Sequence, residues 1–245
     1  MRAPLRWVLW DVRDTLLKVR FSVGDQYYKE AERMGLSLSP ANINTAFLQV
    51  YKQYSSRFPN YGVSQGLNGE VWWKGVVRDT FSHCRVQDPV LLDSLADSLY
   101  HNFCRAENWE VFPDSAAALE SCASLGLELG VVSNFDRRLE TILDTCGLLS
   151  HFRFLLTSEE AGVAKPNTSI FEQALQRCGV PAASVVHIGD HYEKDYVASR
   201  SLGIHGLLLD RSKEHTHDVP REHRLSSLAE LPTKLKLQHL AKLWT

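Results

Sequence analysis

The sequence predicts an α/β fold: a doubly wound parallel sheet, interrupted after its first strand by a helical insertion. Three observations predict it. Four short apolar runs, Leu5–Trp10, Leu127–Val132, Phe152–Thr157 and Ser184–Ile188, are each bounded by polar residues or glycine. Helical patterns separate the later runs, and the rhythm breaks between Val19 and Trp109.

Each run is too short for a helix and lacks strict alternation, as expected for strands covered on both faces. A fifth run, Gly206–Leu209, is weaker. Asp114–Leu125, Asp136–Cys146 and Thr168–Cys178 carry apolar residues at helical spacing, and each is followed by glycine, a common helix terminator. Strands alternating with helices argue for a parallel sheet. Between Val19 and Trp109 the readable elements are helical: Val23–Met34, Ala41–Tyr54 and Pro89–Phe103. The expected boundaries are residues 1–18 and 110–245 for the sheet domain and 19–109 for the insertion. Arg211–Arg224 is polar and reads as a surface loop; Leu225–Leu243 reads as a terminal helical region broken at Pro232.

The chain has 245 residues, 44% hydrophobic and 23% charged, enough for a core without disulfides or structural metal. Its formal charge of -2 and the lack of a basic run argue against nucleic acid as partner. No segment has the length and apolarity of a membrane span, so no membrane partner is expected. Five cysteines, far apart and without CxxC spacing, suit a reducing compartment. The expected location is cytoplasmic or nuclear, with the arginines of the first ten residues leaving room for a mitochondrial presequence. The expected state is a monomer or weak dimer.

Ligands of open α/β sheets bind beyond the carboxyl ends of the strands. The first run is followed there by Asp11-Val12-Arg13-Asp14-Thr15-Leu16, the second by Ser133-Asn134, and the fourth by Gly189-Asp190 with Asp195 behind it. Lys165-Pro166 lies in a loop after the third. Carboxylates, a hydroxyl and a cation are thus expected on one edge of the sheet.

Taken in order, these segments resemble the four motifs of the haloacid dehalogenase-like hydrolase superfamily, over essentially the whole chain. The resemblance implies a Rossmann-like core with an all-helical C1-type cap, and Mg²⁺ as cofactor. It assigns Asp11 as the nucleophile that attacks phosphorus and forms an aspartyl-phosphate. It assigns Asp190 as a metal ligand, Asp195 as a ligand or a carboxylate just behind the ion, and the backbone carbonyl of Arg13 as a further ligand. The Ser133 hydroxyl, the Asn134 backbone N–H and Lys165 would bind the phosphate of a small phosphorylated molecule, with Lys165 also counted as catalytic. Lys165 would neutralise the charge gathered there, just before a helix holding Pro166 in its first turn. Alone, Asp11 would read as a turn or capping residue and Ser133 as a helix cap.

One position departs from the family pattern. Its phosphatases normally carry a second Asp two residues after the nucleophile, as general acid and base; here that residue is Arg13. A guanidinium cannot lose its proton near neutrality. Missing acid–base help costs on the order of 10²–10⁴ in rate. The expected activity is a slow or restricted phosphohydrolase. The alternatives are a catalytically impaired binding protein and a carbon–halogen hydrolase. Retention of Gly189-Asp190 speaks against the latter, whose family members do not use the metal. Asp14 reads as a partner of Arg13. Arg57, Asn60, Tyr61, Trp72 and Trp73 of the insertion are candidates for specificity, though aromatic residues there are mostly core. His191 lies next to Asp190, and His187 reads as a core residue. His215, His217 and His223, without a cysteine near them, read as solvated rather than metal-binding.

Overall fold

In a computed structural model, residues 4–212 and 217–240 are described, with side chains through residue 235. His215 and residues 241–243 of the expected terminal helix lie outside them. Eight strands follow in chain order: β1 (Trp7–Trp10), β2 (Leu17–Val19), β3 (Trp109–Val111), β4 (Glu128–Ser133), β5 (Phe154–Thr157), β6 (Val185–Gly189), β7 (His205–Leu209) and β8 (Arg224–Leu225). Six form one sheet in the order β5-β4-β1-β6-β7-β8, and its neighbouring strands pair in parallel. The short strands β2 and β3 pair with each other. The five apolar runs all become sheet strands, within a few residues of the expected bounds.

The chain divides into two units. The first holds the six-stranded sheet and comprises residues up to Lys18, Val111–Phe135 and everything from Cys146 on. Its β1 is central, with β4 and β6 as neighbours, so successive connections run outward in both directions. Side chains alternate across the sheet. Leu9 and Val132 face a cluster with Ile170, Phe171, Ala174 and Ile204. Both faces are closed, since Val8 and Trp10, pointing the other way, are also fully buried. Asp114 ties the later chain down, binding Arg211 through both oxygens and accepting from Ser227 Oγ at 2.6 Å and Leu228 N at 2.9 Å.

The second unit comprises Val19–Glu110 and Asp136–Thr145. Its main helices are α1 (Val23–Arg33), α2 (Pro40–Arg57), α3 (Gly69–His83) and α4 (Pro89–Asn102). Their starts follow local chemistry. Ser22, Ser39, Asn68 and Asp88 each accept a backbone N–H of the first turn, and Pro40 and Pro89 sit where no N–H is needed. Helix α3 carries no clear sequence signal: its glycines and β-branched residues are weak helix formers, and packing of Trp72, Val76, Val77 and Phe81 holds it. The segment Asp136–Thr145 carries its own buried Asp136–Arg138 ion pair and joins the rest of this unit through Trp73, which donates to Asp136, and through Arg138, which donates to the Tyr100 carbonyl at 3.3 Å. Arg138 Nε and a terminal guanidinium nitrogen (NH2) donate to the two oxygens of Asp136 at 2.8 and 2.7 Å, and Trp73 Nε1 donates to Asp136 Oδ2 at 2.7 Å.

Remaining helices are α5 (Ser115–Ser124), α6 (Leu139–Thr145), α7 (Ser158–Ala161), α8 (Ser169–Cys178), α9 (Ala198–Ser201) and α10 (Leu231–Leu240). Three expectations change here. Pro232 opens α10 instead of breaking it, because a first-turn residue needs no donor. The helix after Lys165 begins at Ser169, so Pro166 lies in the preceding turn, and the Lys165–Pro166 bond is cis. The expected loop Arg211–Arg224 contains buried Val219 and ends on β8, whose pairing with β7 a two-residue strand does not announce. Among the described residues no helix is long and apolar enough to cross a membrane. All five cysteines are free thiols.

Gly24 marks the closest approach of α1 and α2. A Cβ there would lie 2.4 Å from the Pro40 carbonyl oxygen and 2.6 Å from Asn44 Cβ. Gly24→Ala therefore forces two helices apart and is expected to lower stability by roughly 1–3 kcal/mol in urea denaturation. An unchanged midpoint would mean that this contact is looser than the geometry implies.

Candidate active site

The register of β1 against β4 and β6 brings their carboxyl ends level: Trp10 lies opposite Val131 on one side and Ile188 on the other. Asp11 N donates to Ile188 O at 2.9 Å, which fixes the first carboxylate as it leaves the sheet. Asp190 leaves the end of β6, and Asp195 comes from a π-helical turn, Tyr192–Val197. Ligand oxygens of Asp11, Asp190 and Asp195 lie within 4.8 Å of one another.

Lys165 holds this arrangement. Its Nζ, essentially inaccessible, donates to Asp11 Oδ1 at 2.6 Å, Asp195 Oδ1 at 2.5 Å and Val132 O at 2.9 Å. All three ammonium protons are thus directed at oxygen. Burial pulls the lysine pKa down, but the two carboxylates outweigh it and leave it raised, so the ammonium keeps its charge. Asp195 is opposed by burial yet held well below the usual carboxylate range, first by Lys165 and then by His187. Asp11 is raised by burial, with Lys165 opposing and Asp195 reinforcing. Asp190 is pushed up to about 7 by burial and by Asp11, Asp195 and Asp14.

Thr15 Oγ1 donates to Asp190 Oδ1 at 3.2 Å. Asp195 accepts two further bonds, from His187 Nε2 at 3.0 Å and from His191 N at 3.0 Å. Burial keeps His187 neutral, and its Nδ1 has no hydrogen-bond partner. The tautomer with Nε2–H follows, because an ionised carboxylate only accepts. Gly189 is required for the same packing: a Cβ there would lie 2.2 Å from Asp195 Cγ.

The Asn134 side chain has a role of its own. It accepts from Lys165 N and donates to Lys165 O, both at 2.8 Å, so it locks the lysine loop to the end of β4. Ser133 is buried at that strand end, and α6 begins only at Leu139, so Ser133 is no helix cap. The Arg13 side chain points outward, 59% exposed, with Nε 3.3 Å from Asp14 Oδ2. His187 and Thr15 were missed as parts of the site. The GDxxxxD spacing points at Asp195, but no local pattern says that a strand histidine two residues before Gly189 bonds to it.

An all-oxygen set of three convergent carboxylates suits a hard divalent cation such as Mg²⁺. Burial first, and then repulsion from the neighbouring carboxylates, make the charged form of Asp190 costly, and a cation at this place would offset both.

With this geometry in place, the comparisons give the class. A family model described as haloacid dehalogenase-like hydrolase matches residues 5–203, and the chain belongs to that family. It is 65% identical over 238 residues, 96% of this chain and 98% of the relative, to haloacid dehalogenase-like hydrolase domain-containing protein 3 of Danio rerio. Among solved structures it resembles a 2-haloacid dehalogenase from Pseudomonas syringae, with TM-score 0.69 and 22% identity, covering 96% of this chain and 99% of that one. It also resembles the magnesium-bound hydrolase YfnB from Bacillus subtilis, with TM-score 0.69 and 16% identity, covering 96% and 100%. The two structures establish the fold.

Two outcomes test the electrostatics. Lys165→Met leaves buried carboxylates facing one another and is expected to cost about 3–5 kcal/mol without divalent ions. Added Mg²⁺ should recover part of that loss in chemical denaturation. The Asp190 carboxyl, raised from 3.8 to about 7, holds its proton more tightly folded than unfolded. Metal-free stability therefore falls as pH rises through that window. Asp190→Asn should flatten this fall, read as Tm between about pH 4 and 8.

Proposed function

We propose that the chain is a slow Mg²⁺-dependent phosphohydrolase acting on a small phosphorylated metabolite through Asp11. The observation that carries this reading is the convergence of Asp11, Asp190 and Asp195 within 4.8 Å around a lysine bonded to two of them. Mg²⁺ would be held by Asp11, Asp190 and the Arg13 backbone carbonyl, with Asp195 behind. When bound, it supplies charge screening between the carboxylates and the phosphoryl group. The magnesium-bound YfnB neighbour supports that choice of ion.

Lys165 engages Oδ1 of Asp11, so the other oxygen attacks phosphorus and the bond to the leaving group breaks. Ser133 donates to a phosphoryl oxygen. Lys165 and the locked Asn134 loop keep the nucleophile and Asp195 in place as negative charge accumulates. Water then attacks the phosphorus of the aspartyl-phosphate, releasing phosphate and restoring the carboxylate. Arg13 offers no proton for the first step and no base for the second, and this makes the enzyme slow.

Arg13 also motivates a second reading, a binding protein that retains the fold and metal site but not the chemistry. The two readings part on Arg13→Asp: a rise from measurable turnover supports the slow enzyme, and activity created from nothing supports the binding protein. A carbon–halogen hydrolase, as in the P. syringae neighbour, would release halide without Mg²⁺. The acidic cluster argues against it. A reducing compartment fits the free cysteines.

The direct test is hydrolysis of p-nitrophenyl phosphate by the full chain with and without Mg²⁺. Turnover should vanish with EDTA and with Asp11→Asn. Turnover that survives either treatment contradicts the reading. Calorimetry gives a second readout: Mg²⁺ displaces the Asp190 proton, so binding should release protons below about pH 7 and fewer above it.

A further inference from the structure

We infer that Arg13 selects phosphoryl anhydrides, substrates in which the group displaced from phosphorus leaves as an anion, a carboxylate or a phosphate. The inference rests on the phosphohydrolase reading above.

Two cations are placed differently. Lys165 is buried and directs its protons at Asp11, Val132 O and Asp195. It cannot follow a departing group. Arg13, two residues beyond the nucleophile, is 59% exposed. Its backbone is pinned by the turn that follows: Arg13 bridges Leu17, Asp14 N donates to Leu17 O at 2.7 Å, and Asp14 takes φ of 63°. Asp14 and Asp190 line the same open cleft of about 690 Å³, with His191, Tyr192 and Phe112. Arg211, the arginine of the cleft wall, is committed to Asp114 and the Thr15 carbonyl. Arg13 is not itself a wall residue, but its Nε lies 3.3 Å from Oδ2 of the wall residue Asp14, which places the guanidinium beside the cleft.

The Arg13–Asp14 pair is an exposed ion pair, and such pairs are individually weak. A carboxylate or phosphate offers the fork two oxygens and a stronger, bidentate contact. The chemistry asks for the same group. Asp11 forms the new bond to phosphorus while the bond from phosphorus to the leaving oxygen breaks, and its electron pair stays on that oxygen. With an acyl phosphate the product is a carboxylate, and with a diphosphate it is a phosphate; neither needs a proton to leave. Water then cleaves the aspartyl-phosphate, giving phosphate and one proton to solvent. An alkyl phosphate would leave as a strongly basic alkoxide, and Arg13 has no proton to give it. The Arg13 guanidinium, held beside the cleft by Asp14, would stabilise the developing charge instead.

The experiment compares kcat/KM of the full chain with Mg²⁺ on acetyl phosphate, pyrophosphate, p-nitrophenyl phosphate and glycerol phosphate. Wild type should prefer at least one anhydride over glycerol phosphate by on the order of 10². Arg13→Gln should reduce the ratio of anhydride to p-nitrophenyl phosphate turnover by about 10-fold or more, the worth of one charge-assisted hydrogen bond. Arg13→Lys, charged but without the fork, should fall between them. Acetyl phosphate against pyrophosphate tells which anion is favoured. Equal loss on every substrate in Arg13→Gln overturns the inference. So does brisk glycerol phosphate turnover that depends on His191, the rival proton donor in the cleft. If p-nitrophenyl phosphate is cleaved through Asp11 but anhydrides show no Arg13 dependence, only this inference falls. If no substrate is cleaved, or Asp11→Asn changes nothing, the phosphohydrolase reading falls and takes the inference with it.

Discussion

A buried lysine between two carboxylates organises the sheet unit. Lys165 binds Asp11, Asp195 and a carbonyl of β4 at once, so two strand ends, one helical turn and one loop share a single charge. Paired buried charges persist only when geometry and hydrogen bonding are complete. Here each supporting group answers to that condition. Asn134 holds both backbone groups of the lysine, His187 and His191 N donate further bonds to Asp195, and Gly189 leaves room for its carboxylate.

The balance is incomplete by design of the sequence. Asp190, whose Oδ1 accepts from Thr15, is pushed by burial and by its acidic neighbours to a carboxyl pKa of about 7. Lysine contact lowers Asp195 alone, while Asp11 and Asp190 both stay raised, and an acidic cluster of this kind has the charge and the oxygen donors that a cation requires. That asymmetry links packing to chemistry more directly than the fold does, because the same fold serves a dehalogenase and a magnesium-bound hydrolase among its structural neighbours.

The helical unit follows different physics. Its helices are delimited by short-range caps and held by an aromatic core around Tyr27, Phe47, Trp72 and Phe81. Trp72 packs edge-on against Tyr51, Tyr54 and Tyr61, and Trp73 reaches Asp136. Tryptophans proposed for specificity are therefore also structural, and their substitution would mix both effects.

Much of this was legible in the sequence, because strand ends in a parallel sheet are determined by local apolar runs. Asp11, Asp190 and Lys165 each follow such a run or its loop, so their convergence could be anticipated. Helix starts at Ser22, Ser39 and Asp88 were equally local, since a cap needs only residues one turn away. The partner of His187, the Asn134 lock on Lys165, the outward turn of Arg13 and helix α3 were decided by tertiary structure alone. Each depends on contacts between residues distant in sequence or on packing that overrides weak propensity. Pairwise spacing carries no record of such contacts, because folding brings these groups together only after the local elements have formed.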